Sequence, residues 1–99
     1  MKDILQPIID EAVASWNKEY PQLLVSVTAK QFMIESGRVV FDGSIGIRGL
    51  GVTDGFFDIG SDALSWNNPH EFYIGVTECI EESMLAHSQY QKNHESRSL

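Results

Sequence analysis

The segment from Val39 to Arg48, VVFDGSIGIR, alternates apolar and polar side chains with a period of two. In an extended chain the two sets point to opposite sides, Val39, Phe41, Ile45 and Ile47 to one and Val40, Asp42, Ser44 and Arg48 to the other. This alternation is typical of an antiparallel strand that has one face on a core and the other in water. The pattern therefore predicts neighbouring strands and a covering layer on the apolar side.

Neighbouring strands are predicted on both sides of this segment. Leu23 to Ile34 is rich in β-branched and apolar residues, and Glu35-Ser36-Gly37-Arg38 supplies a turn before Val39. Gly49-Leu50-Gly51 turns the chain again, and Val52 to Ile59 forms a third strand. The many glycines of this region predict bulges, tight turns and a twisted sheet.

The residues before the strands predict a helix from about Asp3 or Gln6 to Glu19. Pro7 suits its first turn and Pro21 closes it. Its apolar residues recur with helical spacing: Ile4, Leu5, Ile8, Ile9, Ala12, Val13, Trp16 and Tyr20.

The residues after the strands predict a second helix, which runs to about Tyr90. Asn68 is placed as its N-cap, Pro69 at the first helical position and Glu71 at the third. Its buried stripe is predicted to consist of Phe72, Val76, Cys79, Ile80, Ser83 and His87.

The predicted order is α-β-β-β-α. Because two helices must bury their apolar stripes, the predicted fold is α+β, with a twisted antiparallel sheet of three or more strands and both helices on one face. Residues 1–91 are predicted to form a single domain and residues 92–99 a disordered polar tail.

Composition restricts the classes of protein and the compartment. Apolar residues make up 42% of the chain, yet no apolar run approaches the ~20 residues of a membrane span. Charges and Pro7 interrupt the N-terminus, unlike a secretory signal, and the lone Cys79 fits a reducing compartment. We expect a soluble, cytoplasmic protein.

The charge is distributed unevenly along the chain. The net charge is −7, and the segment from Gly49 to Gln91 contains seven acidic residues and no lysine or arginine. A surface of this kind repels nucleic acid and anionic lipid and attracts basic partners. We therefore expect neither direct nucleic-acid binding nor membrane binding.

The glycine- and aspartate-rich segment from Gly46 to Trp66 does not match a cofactor or metal motif. A dinucleotide fingerprint that starts at Gly49 would need a third glycine where Asp54 stands. Asp54 and Asp58 would be ~13 Å apart on a strand, too far for one ion. We expect no cofactor and no metal.

A nucleophilic centre is not evident either. Cys79 and His87 lie ~12 Å apart along the helix, beyond hydrogen-bond range. An enzymatic site assembled from scattered Tyr, Ser and Asp residues remains an alternative, but the expected class is a non-enzymatic binding protein.

The binding surface is predicted from the facing of side chains. Asp54, Phe56 and Asp58 would point away from the core, which Phe57 and Ile59 would join. Exposed aromatic residues among carboxylates suit a protein-binding surface. The predicted partner-binding residues are Asp54, Phe56, Asp58, Asp62, Trp66, Glu71, Glu78 and Glu82, and the last three share a ~40° sector of the second helix.

The chain resembles the small acidic immunity proteins of polymorphic toxin and contact-dependent growth inhibition systems. The resemblance is in overall plan: the length, the acid excess, the helix IIDEAVASW, the strands within VSVTAKQFMIESGRVVFDGSIGI and the acidic helix HEFYIGVTECIEESML. It implies a cytosolic inhibitor that covers the active site or substrate path of a toxin domain, commonly a nuclease, with a ribonuclease favoured. A phage-type inhibitor of a host defence nuclease and a small ligand-binding or regulatory homodimer are the alternatives.

Overall fold

The computed structural model describes the backbone of residues 1–97 and the side chains of residues 1–87. Its elements are α1 (Lys2–Glu19), β1 (Val25–Glu35), β2 (Arg38–Ile47), β3 (Gly51–Ser61), the single-turn helix α2 (Asp62–Ser65) and α3 (His70–Arg97). The α+β class and the order of the predicted elements are confirmed. The short α2 is an additional turn that the periodicity did not predict.

The three strands form one antiparallel sheet in the order β1-β2-β3. Ser36 and Gly37 join β1 to β2 with φ of 51° and 75°. Positive φ at both positions of a two-residue loop is typical of the type I′ turn, whose twist matches that of the flanking strands. A three-residue loop joins β2 to β3, with Gly49 at φ 83°.

Each edge strand contains one bulge, which shifts by one residue the alternation of its side chains between the two faces of the sheet. Lys30 of β1 has no cross-strand partner in β2, and Ile59 of β3 has none either. The extra residue in β1 returns Phe32 to the core side, where it pairs with Phe41. The extra residue in β3 allows Ile59 to be buried while the side chain of Asp58 stays exposed.

The core lies between one face of the sheet and the two long helices. Phe41 contributes the centre of an aromatic row, with ring centroids 6.0 Å from Phe32 and 5.1 Å from Phe57. The helices bury Leu5, Ile9, Ala12 and Trp16 of α1 and Phe72, Val76, Cys79 and Ile80 of α3 against this face. Both helices therefore pack on the same side of the sheet, as predicted.

Helix α3 approaches the backbone of β3 closely at Gly75. A Cβ atom at this position would overlap the carbonyl group of Ile59. Glycine therefore sets the distance between the helix and the third strand.

The Asn17 side chain fastens α1 to β1. Its Nδ2 donates to the Val25 carbonyl oxygen at 3.0 Å, and its Oδ1 accepts from the Val25 amide at 2.7 Å. The neighbouring Trp16 donates its Nε1–H to the Leu23 carbonyl oxygen at 3.2 Å. The N–H and C=O groups of Val25, at the start of the edge strand β1, are thus hydrogen-bonded to a side chain instead of to another strand.

The end of the second long helix differs from the prediction. Helix α3 continues to Arg97, beyond the expected end near Tyr90, so residues 92–97 of the predicted tail are helical. These residues include neither glycine nor proline, so nothing in their sequence ends the helix. Residues 98 and 99 lie outside the described part of the chain. No helix within the described residues is both long and apolar enough to cross a membrane.

Candidate functional site

The face of the sheet opposite the helices carries the first group of predicted binding residues. We call it the open face, because its side chains are absent from the core cluster of the described residues. Its cross-strand rows, from β1 to β3, are Ser26-Gly46-Val52, Thr28-Ser44-Asp54, Gln31-Asp42-Phe56, Met33-Val40-Asp58 and Glu35-Arg38-Ser61. The predicted facing of Asp54, Phe56 and Asp58 is therefore observed.

Phe56 lies among three carboxylates on the open face. Its side chain is 66% exposed, an unusually wet position for a large aromatic residue. Asp42 stands directly opposite it on β2, and Asp54 and Asp58 flank it on β3. Direct cross-strand neighbours have Cβ atoms about 5 Å apart, and residues two apart on a strand are roughly 7 Å apart. All three carboxylates are therefore close to the ring.

Asp58 is held by an arginine at one end of the open face. The Arg38 Nε–H lies 2.9 and 3.2 Å from the two carboxylate oxygens, and the hydrogen bond and charge of Asp58 raise the pKa of the Arg38 guanidinium. The Gly60 amide also donates to Asp58 Oδ1 at 3.1 Å. Because the ion pair is exposed, its contribution to stability is small, and its main effect is to orient the carboxylate.

A groove adjoins the open face at Asp58. It lies between the end of β3, α2 and the first half of α3, and has a volume of about 500 Å³. Its walls include the carboxylates of Asp58, Glu71 and Glu78 together with the apolar side chains of Leu64 and Ile74. The fold thus brings acidic residues from β3 and from α3 to one surface.

The buried thiol of Cys79 reports the same concentration of negative charge. Burial, with smaller contributions from the carboxylates of Glu82, Asp58 and Glu78, raises its pKa to about 12. Glu82 is exposed on α3, one turn beyond Glu78. Three predicted binding residues from two elements are therefore close enough to act on one thiol.

Asp62, the first residue of α2, forms a local pair with Trp66, which directly follows that helix. The Trp66 Nε1–H donates to Asp62 Oδ1 at 2.7 Å, and both residues are half-buried. The indole also contacts Phe72 edge-on, with a centroid distance of 4.9 Å. Trp66 is thus more enclosed than Phe56, and part of its surface already has an intramolecular partner.

The remaining chemistry-bearing side chains have structural contacts. His87 Nε2 lies 3.0 Å from Thr53 Oγ1, whereas the Cys79 thiol donates to the Asp58 carbonyl oxygen. The two residues therefore have different hydrogen-bond partners. Across the described part of the chain, no group of three His, Cys, Asp or Glu side chains is placed to hold a metal ion.

The predicted binding residues omit several members of this surface. Asp42 completes the carboxylates around Phe56, Arg38 orients Asp58, and Leu64 lines the groove with a 71% exposed side chain. The alternation in β2 does place Asp42 on the polar side, but pairing it with Phe56 requires the register of β2 with β3. Leu64 gives no signal in the sequence, because α2 is too short for a periodic pattern.

Comparisons of the chain with family models, curated proteins and solved structures found no match.

Proposed function

We propose that this protein is a non-enzymatic inhibitor of the immunity-protein type, which acts in the cytoplasm by binding a basic toxin domain. The favoured target is a nuclease, in particular a ribonuclease, whose active site or substrate path the inhibitor covers. The observation that supports this proposal most is the continuity of the acidic surface through Asp58, from the open face around Phe56 to the groove with Glu71 and Glu78.

Electrostatics supports a basic partner. A nuclease presents a cationic surface to the phosphates of its substrate, and a surface of carboxylates is complementary to it. Such complementarity steers association and raises its rate, most strongly at low ionic strength. The same charges disfavour direct contact between this protein and nucleic acid.

The apolar residues of the surface can be buried by a partner, which would lengthen the lifetime of the complex. Exposed carboxylates remain well solvated, so they contribute more to the rate and specificity of association than to its lifetime. Phe56, Leu64 and Ile74 are exposed apolar side chains that a partner can bury. Large side chains buried at the centre of an interface commonly account for most of the binding energy.

The contacts of the reactive side chains favour binding over catalysis. The raised pKa of Cys79 keeps its thiol protonated at neutral pH, and a thiol is a weak nucleophile. Its hydrogen bond goes to a backbone carbonyl and not to a general base. A structural role accounts for these contacts.

The test is capture of partners from a lysate of the source cells at ~50 mM and ~500 mM salt, a range over which exposed ionic contacts are increasingly screened. We expect one basic protein to be retained at low salt, to cleave RNA or DNA by itself, and to be inhibited by this protein. The absence of any captured nuclease from cells that express a candidate toxin would overturn the proposal.

A pair of matched charge-neutralising variants tests whether the proposed acidic surface binds the partner. One variant neutralises Asp54, Asp58, Glu71 and Glu78, and its control neutralises the exposed acids of α1, which are Asp3, Asp10, Glu11 and Glu19. Both change the net charge equally. Loss of inhibition in the first variant alone supports the proposed surface, whereas equal loss in both indicates a response to net charge only.

A homodimer is the second candidate, and the exposure of Phe56 on the open face favours it. Two copies that met through this face would bring their carboxylates together, which opposes association at low salt. Measurement of the molar mass in solution separates the two functions. A tight dimer that buries Phe56 would favour the regulatory domain.

A further inference from the structure

We propose that Phe56, Asp42 and Asp54 form a receptor for an arginine side chain of the partner, with the guanidinium against the phenyl ring and between the carboxylates. This inference depends on the proposed function, because it specifies which chemical group of the basic partner docks on the open face.

The geometry of the open face suits one cationic group. Phe56 has Asp42 directly opposite and Asp54 two residues away on the same strand, so the ring lies between carboxylates on two strands. A cation beside an aromatic ring is attracted by the negative potential of the ring face. The carboxylates supply a further, longer-range attraction to the same position.

The two carboxylates of the receptor are unpaired among the side chains of residues 1–87. Arg38 forms its ion pair with Asp58, and Lys30, the exposed bulge residue beside Gln31, forms no ion pair with a described carboxylate. Among the described side chains, Asp42 and Asp54 take part in no ion pair. A partner's cation would therefore meet two carboxylates that no described side chain already pairs.

The shape of the site favours arginine over lysine. A planar guanidinium can stack on an aromatic ring and still donate hydrogen bonds at its edge, whereas an ammonium group is compact and strongly hydrated. On the same face, the Arg38 Nε–H reaches both oxygens of Asp58 in the neighbouring row, so a guanidinium–carboxylate contact is already present there. The partner's arginine would occupy the corresponding position between Asp42 and Asp54.

The test uses the full-length protein and N-acetyl-argininamide as the probe. Titrations are followed by the amide signals in proton-nitrogen correlation spectra, and N-acetyl-lysinamide at the same ionic strength is the control ligand. We expect the probe to shift signals of Asp42, Asp54 and Phe56, and to bind several-fold more tightly than the lysine analogue. Equal affinities, or shifts confined to the groove at Glu71 and Glu78, would overturn the proposal.

Variants distinguish the receptor from general attraction to negative charge. Phe56→Leu keeps an apolar side chain but removes the ring, and should weaken binding about two- to fivefold, the range expected for an exposed cation–π contact. Asp54→Asn should also weaken it, whereas Ile4→Ala, at an exposed apolar position on α1 outside the proposed surface, should leave it unchanged. Because these side chains are exposed, the fold is retained. Unchanged affinity in Phe56→Leu would exclude the ring contact.

The outcomes separate this inference from the proposed function. If Phe56→Leu captures and inhibits the nuclease as well as the unsubstituted protein does, the arginine receptor is excluded, whereas the proposed inhibitor function still holds. If this protein binds the arginine probe selectively but inhibits no toxin, the receptor is supported and the proposed function is excluded.

Discussion

The Cys79 thiol donates a hydrogen bond to the Asp58 carbonyl oxygen at 3.2 Å. This contact joins the first half of α3 to β3 at Asp58, the residue at which the open face meets the groove. The backbone of Asp58 is thus fixed from the core side, while its carboxylate is oriented on the outer side by Arg38. A buried contact therefore positions an exposed, proposed binding residue.

The free energy of unfolding is expected to fall at alkaline pH because of the buried Cys79 thiol. An unperturbed cysteine ionises near pH 8.5, whereas burial raises the pKa of Cys79 to about 12 in the folded protein. Because the unfolded state loses its proton first, the contribution is fully present below about pH 8.5 and decreases as pH rises toward 12, by up to about 1.4 kcal/mol per pH unit. Denaturant unfolding from pH 7.5 to 10.5 measures it.

Cys79→Ser is the control for this dependence, because a serine hydroxyl can donate to the same carbonyl but does not titrate in this range. The difference in unfolding free energy between the two proteins should therefore change with pH. A constant difference from pH 7.5 to 10.5 would contradict the raised thiol pKa.

Gly75→Ala is expected to destabilise the protein despite its helical location. Alanine is favoured over glycine in a helix by about 1 kcal/mol, but its Cβ would overlap the Ile59 carbonyl, so α3 would have to move away from β3. Overpacking of this kind typically costs about 1–3 kcal/mol. Gly46→Ala is the control, since a Cβ there meets first the Ser26 hydroxyl at 3.1 Å, which can rotate away. Equal stability of both variants in urea would refute the close approach.

Asn17→Ala should destabilise the junction of α1 and β1. It leaves both the amide and the carbonyl of Val25 without their present partners, and each unpaired buried polar group costs about 1–3 kcal/mol. Gln6→Ala is the matched control, because its amide bonds only the exposed Asp10 carboxylate on the same helix. Thermal unfolding of the two variants should differ clearly, with Asn17→Ala the less stable, and a difference within error would refute the role of the Asn17 contacts.

Phe56→Ala should raise the dissociation rate of the complex with the basic partner and leave the stability of the free protein nearly unchanged. The side chain is mostly exposed, so its removal creates no cavity in the monomer, whereas it removes an anchor from the complex. Differences of this kind between related complexes are found mainly in the dissociation rate. Surface plasmon resonance measures it, with Trp66→Phe as a comparison, and an unchanged rate would remove Phe56 from the interface.

Much of the fold is predictable because its signals are local. The helical spacing in α1 and α3 identifies residues that are in fact buried, such as Ile9 and Val76. Alternation in β3 correctly separates Phe56 from Phe57, because the bulge at Ile59 lies beyond them and does not reverse their facing. The end of α3 was less predictable, since a polar sequence without glycine or proline can continue a helix or end it.

The sequence by itself determined the α-β-β-β-α order, the two buried helical stripes and the outward facing of Asp54, Phe56 and Asp58, because the spacing of side chains along a helix or strand depends only on local backbone geometry. Only the tertiary structure decided that Asp42 lies opposite Phe56 and that Asp58 shares a groove with Glu71 and Glu78. Those neighbours depend on strand register and on the docking of α3 against β3. Both are set by packing between residues distant in the chain, which no local period encodes.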